Sequence, residues 1–308
     1  SYLHLNCLKL LKDGNGKLKT IVEIKPGQLT IKYSMILNTR YRPCKEIKGM
    51  LTTVCIVMLI TTGCNTKISE STNGLRFKLL NSNETNIDFN NKITESDSVN
   101  VYDNEYMYNG SGVGIGDFNN DGLPDILLTS NQNDNKLYLN KGNFKFEDIS
   151  KTSGLVQDSM WSTGVTMVDI NADGWLDIYI CNSGHMKDGR RKNKLYINNH
   201  DNTFTEEASK YGLAISGYCT QVSFFDYDLD GDLDCFIINN SPMPINTLNN
   251  ATRRDLPDAQ WPVADFLKGG GDHLLRNDNG HFTEVTRQAG IHGSLISFGL
   301  GVSIADMN

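Results

Sequence analysis

The chain has 308 residues, 39% of them hydrophobic and 21% charged, a globular composition that excludes a wholly disordered protein. The formal charge of −7 is unevenly spread: residues 1–63 hold ten Lys/Arg against three Asp/Glu, a net +7, so the remainder carries −14. An acidic body excludes nucleic acid as a partner, because that role calls for a basic face. The seven cysteines (Cys7, Cys44, Cys55, Cys64, Cys181, Cys219 and Cys235) include no CxxC pair and no regular spacing. They form neither a disulfide framework nor a zinc site, and Cys181 and Cys235, in or beside apolar runs, read as buried free thiols.

Residues 1–49 read as an N-terminal extension of uncertain status, Lys-rich and without a clear period, in which Asp13-Gly-Asn-Gly16 is a turn. Met35 and Met50 are alternative translation starts. Over residues 40–64 the pattern sharpens. Arg40, Arg42, Lys45 and Lys48 precede an apolar run from Leu51 to Ile60, closed by Thr61-Thr-Gly-Cys64. A basic flank, a short apolar run and small residues describe a secretory signal, too short to span a bilayer. Gly63-Cys64 resembles the end of a bacterial lipobox, with Thr61 departing from the aliphatic residue favoured there, and this marks Cys64 for lipidation as a membrane anchor. Residues 65–76 are a polar tether. Phe77-Lys-Leu-Leu80 and Asn86-Ile-Asp-Phe89 read as the fourth strand of an otherwise missing blade.

From Gly112 onward the chain repeats. A short strand enters an acidic loop at Val113–Asp117, Val165–Asp169, Val222–Asp226 and Val302–Asp306, and an apolar strand leaves each of the first three. A third strand follows as Asn135-Lys-Leu-Tyr-Leu-Asn140, Asn193-Lys-Leu-Tyr-Ile-Asn198 and Asp272-His-Leu-Leu-Arg-Asn277. The fourth begins at Phe144, Phe204 or Phe282 and ends in Ser153-Gly-Leu155, Tyr211-Gly-Leu213 or Ala289-Gly-Ile291. Four short strands per unit, with loops 52 and 57 residues apart, predict an all-β fold of propeller blades over 77–308. The next interval is 80, and its surplus falls at 241–271, a candidate ligand loop carrying Arg253, Arg254 and Trp261 and closing on a Gly269-Gly-Gly271 hinge. The sequence breaks off inside the fourth loop, so it reads as three to four blades of a longer propeller.

The loops themselves carry the chemistry. Each supplies side-chain oxygens at positions 1, 3, 5 and 9: Asp117, Asn119, Asp121 and Asp125; Asp169, Asn171, Asp173 and Asp177; Asp226, Asp228, Asp230 and Asp234. Position 7 (Leu123, Trp175, Asp232) adds a backbone carbonyl, and the truncated fourth loop begins with Asp306 and Asn308. Glycine at position 6 permits the sharp turn, and hard oxygen ligands at this density suit calcium, about one ion per repeat. An EF-hand needs a bidentate Glu at position 12 between helices; position 12 here is Leu128, Ile180 or Ile237, within apolar strands. With loops some fifty residues apart each ion is caged alone, a structural arrangement unlike a two-metal hydrolase, whose ions lie about 4 Å apart. Catalytic motifs are absent, and Ser183-Gly-His185, His200, His273, His281 and His292 read as turn or surface residues.

Gly116-Asp-Phe-Asn-Asn-Asp-Gly-Leu-Pro-Asp-Ile-Leu127 and its copies resemble FG-GAP/VCBS repeats of the integrin α propeller type. Tyr108-Asn-Gly-Ser-Gly-Val113, the Asn193–Asn198 phrase and Phe224–Asp234 resemble more closely the ASPIC/UnbV, cartilage-acidic-protein-like bacterial lipoproteins. The resemblance covers residues 75–308 and implies a seven-bladed, calcium-braced propeller exported to the outer membrane or cell surface. The segment that defines the full family lies outside this sequence. The expected role is a non-catalytic module binding extracellular or periplasmic protein or glycan; the alternative is a calcium-dependent propeller enzyme acting on polysaccharide.

Overall fold

The computed structural model describes residues 77–97, 99–102, 106–155, 160–184, 190–242, 253, 255–296 and 298–305, with the backbone of three earlier strands. The chain divides into two units, Ser1–Phe77 and Lys78–Asn308. In the first, β1 (His4–Lys12), β2 (Leu18–Lys25) and β3 (Ile31–Ile36) form an antiparallel sheet in sequential order. The sequence reading found no period here. Thr20-Ile-Val-Glu-Ile, rich in β-branched residues, nevertheless takes the central strand, and residues 13–17, with their glycines, join β1 to β2 where Lys12 pairs with Leu18. The signal segment, Cys64 and the tether lie outside the described residues. No helix among those described is long and apolar enough to cross a membrane.

The second unit opens on a correction. Residues 77–89 form no strand: Ser82–Thr85 is a one-turn helix, α1, because Glu84 reaches back to accept from the Asn81 backbone N–H at 3.0 Å. The segment after it straps the outside of the first blade. The Tyr138 hydroxyl donates to the Asp88 carbonyl at 3.1 Å, and the Ser130 hydroxyl and Asn131 N–H both donate to Asn91 Oδ1.

Three four-stranded antiparallel sheets follow, each an up-and-down meander. Blade 1 is β4 (Val113–Gly116), β5 (Asp125–Leu128), β6 (Lys136–Asn140) and β7 (Phe146–Asp148). Blade 2 is β8 (Trp161–Val168), β9 (Asp177–Ser183), β10 (Lys194–Asn198) and β11 (Phe204–Glu206), followed by the short helix α2 (Ala208–Tyr211). Blade 3 is β12 (Cys219–Phe225), β13 (Asp234–Asn239), β14 (His273–Asn277) and β15 (Phe282–Glu284). The sheets are consistent with propeller blades. Their first strands lie side by side: the Ser111 hydroxyl donates to the Ser162 carbonyl at 2.8 Å, and the Thr163 and Thr166 hydroxyls donate to the Cys219 and Val222 carbonyls at 2.6 and 2.9 Å.

Strand alternation divides each blade between its two neighbours. On β9, Ile178 and Ile180 pack with Leu127, Leu137 and Val165 towards blade 1, whereas Tyr179 and Cys181 pack with Val222, Ile237 and Leu275 towards blade 3. Both faces are therefore dry, which is why β9 reads as an apolar run without polar alternation. Cys181, Cys219 and Cys235 are free thiols fully buried in the second of these cores.

The glycines after the outer strands of blades 1 and 2 face the next blade. Gly212 has φ +78, and a Cβ there would lie 2.6 Å from the Phe282 carbonyl oxygen; Gly154 meets the Phe204 carbonyl in the same way. Gly212→Ala combines a left-handed backbone with a clash against backbone that has no room to yield, at a cost of roughly 2–5 kcal/mol. A drop in urea midpoint at unchanged slope is the expected readout; an unaltered midpoint refutes this packing.

Two further expectations are corrected. Of the stretch Val302–Asp306, read as the first strand of a fourth unit, the described residues 302–305 form no strand; Phe298 makes an isolated bridge to Asn240, and the Gly299 carbonyl accepts from the Thr220 hydroxyl at 2.8 Å. Only Phe298 and Gly299 are seen against blade 3, and no described strand offers residues 302–305 a ladder. Gly269–Gly271 is no hinge. The Gly269 carbonyl accepts from Tyr218 N–H, the Gly271 carbonyl accepts from Asn239 Nδ2 at 2.7 Å, and a Cβ on Gly270 would strike Pro242 at 2.8 Å.

Candidate metal centre

Each acidic loop joins the first and second strands of its blade, and the register is the same three times. The residue before the first Asp pairs with the ninth-position Asp: Gly116 with Asp125, Val168 with Asp177, Phe225 with Asp234. Eight residues must therefore close a hairpin end, and backbone N–H groups turn inward to do it. The first Asp takes two of them. Asp117 accepts from Asp121 and Gly122 at 3.1 and 2.8 Å, Asp169 from Asp173 and Gly174 at 3.0 and 2.9 Å, and Asp226 from Asp230 and Gly231 at 3.2 and 3.1 Å. The fifth-position carboxylate holds the seventh residue's N–H in every loop (Leu123, Trp175, Asp232) at 2.9–3.1 Å. Glycine at position 6 has φ between +86 and +100.

Position 4 is also left-handed, at Asn120 (φ +54), Ala172 (+55) and Leu229 (+64). A branched, exposed Leu229 is the costliest occupant, and Asn bonds locally at little strain. Leu229→Asn should raise stability by about 1 kcal/mol; a lower melting temperature would count against strain at this position.

The ninth-position aspartates are fully buried. Each latches its loop to the third strand of the same blade. Asp125 accepts from Phe118 and Asn140 N–H at 2.9 and 2.7 Å, Asp177 from Ile170 and Asn198 at 3.1 and 2.8 Å, and Asp234 from Tyr227 and Asn277 at 2.6 and 2.8 Å. Burial pushes the Asp177 carboxyl up to about 6 and raises that of Asp125, against the lowering effect of these hydrogen bonds. A cation in the loop would offset that burial cost.

In the third loop, carboxylate oxygens of Asp226, Asp228 and Asp234 lie within 4.8 Å of one another. Calcium holds its oxygens at about 2.3–2.6 Å, so two oxygens on one ion are at most about 5 Å apart; the cluster has the right span. Desolvation, followed by the Asp230 and Asp234 charges, raises the carboxyls of Asp228 and Asp232. The sequence reading used only the backbone of Asp232, yet its Oδ1 is buried without a hydrogen-bond partner among the described residues. In the first two loops position 3 is an amide: Asn119 and Asn171 donate to Asp121 and Asp173 at 3.1 and 2.9 Å, and a half-turn of the amide presents its oxygen instead. Asn120 Nδ2 donates to the Gly174 carbonyl at 3.2 Å, so loops 1 and 2 touch. His200, read as a turn residue, belongs to loop 2, stacked on Trp175 at 4.6 Å with Nε2 3.1 Å from Asp173. Asp306 and Asn308 lie outside the described residues.

The sequence reading missed the asparagines that end each third strand. Asn140, Asn198 and Asn277 not only bond the ninth-position Asp through their N–H; their Nδ2 groups donate to the carbonyls of Pro124, Leu176 and Leu233. The opposite strand end repeats the device, with Asn135, Asn193 and Asp272 accepting from Ser130, Asn182 and Asn239 N–H at 2.8–2.9 Å. Recurrence of Asn in three copies was the available signal. In the candidate ligand loop, Trp261 departs from the expected role. Trp261 is 3% exposed, its indole N–H donating to the Leu256 carbonyl at 2.9 Å, and is unavailable to stack on a ligand. Arg253 already grips Asp255 at 2.7 Å, and Arg254 lies outside the described residues.

Residues 117–180 and 182–237 match the FG-GAP-like repeat. Over 130 residues the chain is 26% identical to cartilage acidic protein 1 of Xenopus tropicalis, a stretch covering 42% of this chain and 20% of that protein. Blades 1 and 2 and the first half of blade 3 are thus similar to FG-GAP-like repeats, and the chain has distant similarity to cartilage acidic protein 1.

Proposed function

We propose that the chain is a calcium-braced propeller module of the ASPIC/UnbV lipoprotein type, exported, tethered through a lipid on Cys64, and binding protein or glycan without catalysis. The observation that carries the calcium reading is the Asp226, Asp228 and Asp234 cluster, of ion-sized span, on a loop whose backbone geometry occurs three times. Its ions brace; each loop stitches two strands of one blade and binds its carboxylates to backbone N–H groups. A body carrying −14 beyond residue 63 favours cations and repels nucleic acid. Export agrees with the basic and apolar pattern of 40–64, and Cys64→Ser should move the protein from the membrane to the soluble fraction.

Calorimetric titration of the full chain with calcium tests the core of this reading. At least three ions should bind, and Asp228→Ala should remove one. Absence of calcium binding, or binding unaffected by that substitution, would overturn it. Screening the calcium-loaded protein against glycans tests the binding role, and cleavage of any glycan by the pure protein would replace it with an enzymatic one.

A further inference from the structure

Arg191 is 7% exposed, yet its Nε and Nη1 are buried and meet no hydrogen-bond acceptor among the described residues. The guanidinium carbon lies 4.2 Å over the ring of Tyr218, itself 4% exposed. The backbone around it is fixed: Lys192 bridges Ser216, Asn193 N–H donates to the Ile215 carbonyl, and Asn193 Oδ1 accepts from Asn182 N–H. The Tyr218 carbonyl in turn accepts from Asn240 N–H at 2.9 Å, and Asn240, 4% exposed, carries a buried side-chain oxygen without a donor among the described residues. These residues sit where β9 and β13 end and β12 begins, the end of blades 2 and 3 opposite the acidic loops.

A buried charge is ordinarily paired, because desolvating a guanidinium costs several kcal/mol and a ring face returns only about 0.5–2. The missing partner is an oxyanion for Arg191 and a hydroxyl for Asn240. We propose that Arg191, seated on Tyr218, anchors a carboxylate site that takes an acidic, hydroxylated ligand such as the uronic-acid residue of a glycan. This gives the binding-module reading a ligand chemistry and rests on that reading. It also places recognition at the opposite end of the blades from the calcium loops.

The experiment uses the full chain with calcium present, titrated with trigalacturonate, neutral maltotriose and succinate, in wild type, Arg191→Met and Asp188→Asn. Trigalacturonate should bind and maltotriose should not, with affinity falling tenfold or more in Arg191→Met, as expected for loss of a charged hydrogen bond. Without ligand, Arg191→Met should melt higher by about 2–4 °C, because an uncompensated charge has gone; trigalacturonate should stabilise wild type and Asp188→Asn but not Arg191→Met. If Arg191→Met and Asp188→Asn both melt lower by the same amount, Arg191 is paired within the chain to Asp188 and the proposal falls. It falls equally if trigalacturonate does not bind, if only succinate binds, or if Arg191→Met binds as wild type does. Any of these results beside an intact calcium titration leaves the calcium-braced scaffold standing.

Discussion

Chelation of calcium should remove most of this protein's stability. An ion that binds only the folded state adds about 2.7 kcal/mol when free calcium is a hundredfold above its dissociation constant. Three filled loops then contribute roughly 8 kcal/mol, against about 5–15 kcal/mol for a whole domain. At about 2–4 °C per kcal/mol for a unit of this size, excess EGTA should lower the melting temperature by roughly 15–30 °C. The physical source is local: five aspartates lie between Asp226 and Asp234, one of them fully buried, and without a cation they repel each other and forgo hydration. Magnesium should rescue poorly, since it demands near-ideal octahedral geometry and gives up water reluctantly. A melting curve indifferent to chelator would sink the calcium reading and leave the fold untouched.

The second large effect separates the latch from the ion. Asp177→Ala strands two buried backbone N–H groups, those of Ile170 and Asn198, and Asp234→Ala strands the buried one of Asn277 and the part-buried one of Tyr227. At about 1–3 kcal/mol per unsatisfied donor, the loss is about 2–6 kcal/mol before any ion is considered. That part persists in EGTA. Asp228 is exposed, and no described backbone N–H bonds to its carboxylate, so Asp228→Ala should lower stability in calcium and leave it nearly unchanged in EGTA. Denaturant titration of the three variants with and without chelator is the measurement. Equal losses for Asp228→Ala and Asp234→Ala in EGTA would show that the ninth position has no separate latch role.

Both predictions turn on residues visible in the sequence, but their two kinds of work were not equally visible. The spacing of Asp226, Asp228, Asp230 and Asp234 around Gly231 is local, and ligands within nine residues are brought together by a single turn. Strand order within a blade was likewise readable, because adjacent antiparallel strands joined by short loops leave few alternatives. Trp261 failed for the opposite reason. A Trp in a Pro-rich excursion looks like a ligand platform, and only the arrival of Ser294, 33 residues later, puts it in a dry site. The strand reading of Phe77–Leu80 and Asn86–Phe89 failed because between them Glu84 caps a helical turn, and the apolar residues on either side did not outweigh it.

The sequence by itself determined the repeat, the four strands of each blade, the acidic loops and their glycine at position 6, since each depends on residues within one turn or one hairpin. Only the tertiary structure decided what spans blades. It buried the three thiols between blades 2 and 3, set Gly212 against the Phe282 carbonyl, and left Arg191 Nε and Nη1 without an acceptor among the described residues. Those outcomes follow from which faces meet across a blade interface, and spacing along the chain carries no record of that.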